Sequence, residues 1–281
     1  MIPAEFDYVA PDTLEDAISA LEGGGEDAKL LAGGHSLLPL MKLRLATPSL
    51  LIDLRKLGGL DGISRENGGW RIGAMTRHAE LEHSGELGIL ARAAGTIADP
   101  QVRNRGTIGG SLAHGDPASD LPAVLLIAEG SVTVQGSGGV RSIAAGDLFE
   151  DYLETSIGAD EVMTEVSVPS LDEYGFGYQK FNRRSEDWAM VAVAAVVRKA
   201  GEVVEDVRVG LTNMGSVPLR ASAVEEALRG QALTRENLAA AAEHAAEGTD
   251  PPADLNASAD YKRHLARVLT RRALEEAAGL T

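Results

Sequence analysis

The 281-residue chain contains no cysteine. That excludes disulfides, thiolate-held zinc, iron–sulfur ligation and thiol nucleophiles, and it accords with a reducing compartment. Aromatic residues are scarce at 4%, so any aromatic near a binding loop stands out. Positive charge is also short: 26 Lys and Arg stand against 42 Asp and Glu, for a formal charge of −16. A nucleic acid needs a basic face, and so does an anionic membrane surface; neither is expected as a partner. No apolar run approaches the roughly 20 residues of a membrane span. Residues 1–9 carry Glu5 and Asp7 and lack the basic start and apolar stretch of a signal peptide. The expectation is a soluble, cytoplasmic protein with no transmembrane segment. Apolar residues at 44% allow a sizeable core, and the length fits two domains or one large one.

Thr13 is placed to cap a helix whose apolar residues Leu14, Ala17, Ile18 and Leu21 share a face, and Gly23-Gly24-Gly25 ends it. Short apolar strands are expected at 29–32 and 50–54, with a helical turn at 37–45. Asn67-Gly68-Gly69 marks a hairpin, and a second glycine turn lies between 132–134 and 140–143. Thr76 is expected to cap a helix over 77–82, and 87–97 to form an Ala-rich helix. A strand over 162–168 stops at Pro169. Tyr174-Gly175-Phe176-Gly177 reads as a joint. Beyond it, three strands (177–182, 189–198, 203–211) and three helices (223–229, 236–247, 261–278) make a meander backed by helices. The fold class is therefore α+β.

Two glycine clusters follow apolar segments: Ala32-Gly33-Gly34-His35-Ser36 and Gly106-Thr107-Ile108-Gly109-Gly110-Ser111. Paired glycines permit backbone approaches that a Cβ blocks, and consecutive free N–H groups form an anion nest. Such loops suit a pyrophosphate gripped by two turns with little help from lysine or arginine. Taken singly, each pair also reads as an ordinary tight turn, as 32 glycines in the chain would provide. Neither cluster fits G-x-G-x-x-G or G-x-x-x-x-G-K-[ST], which disfavours a Rossmann domain and a P-loop NTPase. The second cluster sits in a long stretch rich in Gly, Asp, His and Ser, from Ile97 to Asp120, of the kind that more often carries function. His78, His83, His244 and His264 have no ligand spacing, so no metal site is expected.

Three stretches carry a family resemblance: Lys29 through Leu37, Arg105 through Asp120, and Tyr178-Gln179-Lys180-Phe181-Asn182 followed by Asp187-Trp188-Ala189. In that order, and nearly end to end, the chain resembles the FAD-binding medium subunits of molybdenum hydroxylases. It looks most like the carbon monoxide dehydrogenase type, and is also similar to the flavin domain of xanthine dehydrogenase. The resemblance implies an FAD-binding fold of the vanillyl-alcohol-oxidase (PCMH) type over 1–175, with subdomains of about 1–56 and 57–175. A smaller C-terminal domain of the carbon monoxide dehydrogenase flavoprotein type is implied over 176–281. FAD would lie extended between the subdomains.

By position, the resemblance places Ala32, Gly33, Gly34, His35 and Ser36 around the pyrophosphate together with Thr107, Gly109, Gly110 and Ser111. It places Lys29, Leu30 and Leu37 on the same cleft, and Ala113, His114 and Asp116 against FAD. Asp120 would accept from the adenosine ribose hydroxyls, Val162 would approach the adenine end, and Lys180 the flavin ring, where its ammonium would stabilise the anionic reduced form. Ile97 and Ala98 are counted in the same site, although Ile97 stands where the xanthine enzymes have an aromatic. Trp188 or Tyr152 is a candidate to stack in its place, against a core-packing role for the tryptophan.

The implied partners are a large molybdopterin-binding subunit and a small [2Fe–2S] subunit in a dimer of heterotrimers, with an external electron acceptor. Substrate oxidation would take place on the large subunit, so no catalytic acid or base is expected here. The absence of cysteine agrees, since the clusters must be ligated elsewhere. The alternatives are a self-contained FAD-dependent oxidase or reductase, which needs acid–base groups over the ring, and an assembly module that has lost its ligand.

Overall fold

The computed structural model describes residues 2–280; Met1 and Thr281, the outer ends of the two expected domains, lie outside the described residues. The chain opens with β1 (Asp7–Val9), α1 (Leu14–Gly24), β2 (Ala28–Leu31), α2 (Leu37–Lys42) and β3 (Leu50–Asp53). These strands form a parallel sheet of order β1-β3-β2. Thr13 caps α1 by accepting from the Asp16 amide at 3.1 Å, as its position predicts. Ala17, Ile18 and Leu21 bury against Ile52 and Leu54.

The second unit contains β4 (Ile63–Glu66), β5 (Gly69–Gly73), α3 (His78–His83), α4 (Ile89–Ala94), α5 (Pro100–Arg103), α6 (Ile108–His114) and α7 (Asp120–Ile127). It continues with β6 (Ser131–Gly136), β7 (Gly139–Ala144), α8 (Ala145–Leu148), β8 (Phe149–Asp151), β9 (Glu154–Thr155) and β10 (Val162–Pro169). Its main sheet is antiparallel, of order β4-β5-β10-β6-β7. Both hairpins fall where the Asn-Gly-Gly and glycine turns require them. Thr76 is not a helix cap. Its hydroxyl lies 3.0 Å from the Gly62 amide and 3.1 Å from the Gly62 carbonyl, closing the turn before β4, and α3 starts two residues later. The helix expected over 87–97 is broken by Gly88, whose φ of +56° ends a 3₁₀ turn before α4 begins.

The last unit holds β11 (Gly175–Phe181), β12 (Val191–Ala200), β13 (Val203–Thr212), β14 (Leu219–Arg220), α9 (Ser222–Leu228), α10 (Arg235–Ala242) and α11 (Ala259–Ala278). Its sheet has four antiparallel strands, not the expected three, because the two-residue β14 is too short to carry a pattern. In β12, Ala192, Ala194 and Val196 face the core of the second unit, while Val191, Val193, Ala195 and Val197 face α9–α11. Burial on both faces explains the unbroken apolar run. No helix among the described residues is long and apolar enough to cross a membrane.

Gly175 and Gly177 stand at the start of the last unit. They open β11, and α11 lies directly on them. A Cβ at Gly177 would stand 2.1 Å from the Ala273 carbonyl oxygen, and one at Gly175 2.0 Å from that of Ala277. Glycine here sets how closely helix and sheet approach. G177A therefore forces α11 off the sheet and costs about 1–3 kcal/mol, the usual range for overpacking; urea unfolding measures it as a lowered midpoint at constant slope.

Candidate cofactor cleft

β2 ends at Leu31, and the glycine loop 32–36 follows before α2 begins. Gly34 holds a φ of +77°, a conformation that disfavours any side chain. Gly33 is pressed onto the second glycine cluster: its Cβ would lie 2.4 Å from the Arg105 carbonyl oxygen and 2.7 Å from the Gly106 Cα. Two segments some seventy residues apart in sequence thus meet backbone to backbone.

Their amides are not equivalent. Those of Gly33, Gly34, His35 and Ser36 donate to no acceptor among the described residues. In the second cluster every amide from 108 to 111 is spent. Ile108 donates to the Thr76 carbonyl at 3.0 Å and Gly109 to the Ala74 carbonyl at 2.8 Å. Gly110 donates to the Thr107 hydroxyl at 3.2 Å and Ser111 to the Thr107 carbonyl at 3.0 Å. The cluster is the start of α6, not an open turn. Its glycines admit close packing: a Cβ at Gly109 would fall 2.6 Å from the Ala74 Cβ, and one at Gly106 would fall 2.6 Å from Cδ2 of His78. The expectation of two amide-donating loops is corrected: one loop offers free amides, and the other is the wall against which it is braced.

A cavity of about 460 Å³ opens beside this contact. Thr107, Gly110 and Ser111 border it from α6, Ile97 and Ala98 from the segment before α5, and Trp188 from the loop after β11.

Residues 4–171 match the model of a family described as the FAD binding domain in molybdopterin dehydrogenase, and residues 176–277 match the CO dehydrogenase flavoprotein C-terminal domain. The chain belongs to this FAD-binding family. It is 43% identical to the carbon monoxide dehydrogenase medium chain of Hydrogenophaga pseudoflava, over 99% of this chain and 98% of that one. It is 41% identical to the nicotine 6-hydroxylase medium subunit of Paenarthrobacter nicotinovorans, over 98% of both. A solved structure of carbon monoxide dehydrogenase from Hydrogenophaga pseudoflava, lacking the Mo-pyranopterin moiety of its cofactor, superposes with a TM-score of 0.97 at 44% identity. It covers 100% of this chain and 99% of that one. The chain is accordingly an FAD-binding flavoprotein subunit of an oxidoreductase.

Of the flavoprotein's expected site residues, all but two border the cavity. Val162 does not: it is fully buried at the start of β10, packed with the α1 core, and Met163, the next residue, reaches the cleft. Alternation along a strand sends neighbouring side chains to opposite faces. Asp116 also lies off the cavity, and its carboxylate accepts from the Ala118 amide at 2.8 Å to shape the turn before α7. Trp188 borders the cleft and is half exposed, whereas Tyr152 lies away from it. His78, Met75 and Met163 border the cleft without having been singled out for it. The two methionines carried no signal beyond apolarity; the His78 side chain reaches the cleft only through the fold.

The Lys180 side chain is buried. Its ammonium lies 2.9 Å from Asp120 Oδ2 and 3.0 Å from the Thr96 carbonyl, and the Tyr178 hydroxyl donates to Asp120 Oδ1 at 2.6 Å. The lysine and aspartate side chains are 5% and 4% exposed. Burial raises the Asp120 carboxyl pKa, against the pull of Lys180 and Tyr178; burial and then Asp120 push the Tyr178 phenol well above its usual range. Both oxygens of the expected ribose acceptor are thus already engaged, and the charge of Lys180 is compensated. K180M would leave Asp120 buried and unpaired, a loss of about 3–5 kcal/mol. The double variant K180M/D120N should recover most of it in chemical denaturation, because the orphaned charge is gone.

His78 is buried at the head of α3, and desolvation, with His35, Arg103 and Arg77 nearby, pushes its pKa down to about 4. The unfolded chain binds a proton there from pH 6.5 downward and the folded chain does not. This contribution to stability is complete above pH 6.5 and is lost as pH falls to about 4, amounting to about 3 kcal/mol. H78F should show a correspondingly shallower fall in stability across that window.

Proposed function

We propose that the chain is the flavoprotein medium subunit of a molybdenum hydroxylase. FAD in the cleft would supply two-electron and one-electron redox chemistry, collecting electrons from [2Fe–2S] clusters on a small partner subunit and passing them to an external acceptor. Oxidation of substrate would occur on a large molybdopterin-binding partner, the three chains forming a dimer of heterotrimers. The division of the chain at about residue 175, with subdomains of about 1–56 and 57–175, belongs to the same reading.

The observation that carries this reading is the brace at Gly33, with four free amides on one side of it and the cavity beside them. Those amides suit a diphosphate: they carry partial positive charge, need no counter-ion and are held in place before the ligand arrives. Thr107 and Ser111 bring hydroxyls to the opposite wall. Leu30, Leu37 and Ile97 give apolar surface for a planar ring system, and half-exposed Trp188 could shield it from water.

The cleft's titratable groups disfavour a self-contained oxidase. Asp120 is tied to Lys180 and Tyr178. His78, with its pKa pushed down to about 4, is too weak a base for efficient proton abstraction at neutral pH. The relatives' printed names range from carbon monoxide to nicotine, which agrees with a subunit that does not select the substrate.

The test is flavin content. The wild-type chain, purified with any partners that accompany it, should carry a flavin absorption spectrum and release FAD on denaturation. In G33V the side chain meets the Arg105 carbonyl, so the loop must move. FAD affinity should drop by at least about tenfold, which corresponds to 1.4 kcal/mol of misfit. Wild-type protein that binds no FAD under any condition would overturn the reading.

A further inference from the structure

His78 is a buried polar side chain on the cleft to which the proposed function gives no work. Its ring rests on the backbone of Gly106, with Cδ2 and Nε2 at 2.6 and 3.0 Å from where a Cβ would stand, one residue before Thr107. Its backbone amide donates to the Gly106 carbonyl at 3.0 Å, which fixes the ring's root. The residue is 4% exposed, yet it borders the cavity. Nδ1 is sealed from solvent with no hydrogen-bond partner. Nε2 also has no partner among the described residues but is not sealed, so it is the nitrogen that meets the cleft. A buried imidazole with neither nitrogen satisfied is costly, and such a group in a binding cleft commonly finds its partner in the ligand.

The basic groups nearby oppose protonation of the ring. Arg77 precedes the ring on its own segment, Arg103 faces it from α5, and His35 faces it from the glycine loop. Arg105 and Asp99 act on His35, and Glu82 is held by Arg103 at 2.7 Å. Neither carboxylate pairs with His78 itself among the described residues.

We propose that His78 is a binding residue for the anionic part of the cofactor, donating from Nε2 to a phosphate oxygen and taking up a proton as the phosphate enters. This rests on the cleft being the FAD site. A dianionic diphosphate beside the ring supplies countercharge where burial, His35, Arg103 and Arg77 oppose protonation, so the protonated form becomes favourable only in the complex. Cofactor binding is then proton-linked, and the linkage belongs to a residue outside both glycine loops.

The experiment is calorimetric titration of FAD into the flavin-depleted protein, with whatever partner subunits co-purify, at pH 5 and pH 7 in pairs of buffers with different ionisation enthalpies. Wild type should take up about half a proton or more at pH 5 and little at pH 7, and bind FAD about three- to tenfold tighter at the lower pH. H78Q should bind with no uptake and with pH-independent affinity, while H35Q should keep the uptake. Uptake that persists in H78Q, or that vanishes in H35Q alone, overturns the proposal and leaves the FAD reading intact. Failure of wild type to bind FAD overturns both. Should H78Q fail to fold, histidine-labelled wild type settles the matter by nuclear magnetic resonance. The ring that titrates lowest without FAD should titrate at least one unit higher with it, and an unmoved ring overturns the proposal.

Discussion

The contact between Gly33 and the Arg105–Gly106 backbone is the constraint on which the cleft depends. Main chain against main chain leaves no room for even a methyl group. It joins the end of the parallel sheet to the segment that enters α6. Because Gly106 is itself covered by the ring of His78, the brace is three layers deep: loop, loop and imidazole. Substitution at any of these layers moves the cavity wall and not only a side chain.

The division of labour between the glycine clusters follows from hydrogen-bond accounting. A backbone amide buried without a partner is costly, so a fold commits its amides wherever it can. Around α6 it does: residues 108–111 donate to Thr76, Ala74 and Thr107. Around 33–36 it does not, and four consecutive donors stay available at the edge of the cavity. A chain with a net charge of −16 that must hold a diphosphate gains from this arrangement, since amide dipoles attract the anion without adding cations to be neutralised elsewhere.

Much of this was legible in the residues. Thr13 with Leu14, Ala17, Ile18 and Leu21 announces α1, and Asn67-Gly68-Gly69 announces the β4–β5 hairpin, because caps and turns are local. The glycine clusters were visible as places where a Cβ is not tolerated. What each glycine is avoiding was not, since Ala74, Arg105 and Ala273 are distant in sequence. That is why Gly175 and Gly177 read as a joint without showing that they are also the floor on which α11 rests. The facing of the Val162 side chain was hidden for a related reason. Facing along a strand alternates, and only the register of β10 on β5 and β6 decides which of two neighbours meets the cleft.

Lys180 shows how burial changes the meaning of a motif. Read from sequence, an ammonium near a flavin is a source of positive charge. In the fold it is one corner of a buried triad with Asp120 and Tyr178, anchored to the Thr96 carbonyl. The triad ties β11 to the start of α7 and to the segment leading into Ile97 and Ala98. Its first effect is therefore mechanical: it joins the C-terminal unit to the cavity wall with a bonded charge pair that apolar packing alone would not place so narrowly. Any electrostatic influence on a bound ring is that of a dipole, with Lys180 at one end and Asp120 at the other, and it falls off faster with distance than the field of a lone cation. The cleft's other positive character includes the free amides of 33–36 and the side chains of Lys29, Arg77 and Arg105, none of which has a carboxylate partner among the described residues. The polarity that would hold the cofactor is thus concentrated at the loop brace, where the glycine pattern of residues 32–36 already pointed, and not at Lys180.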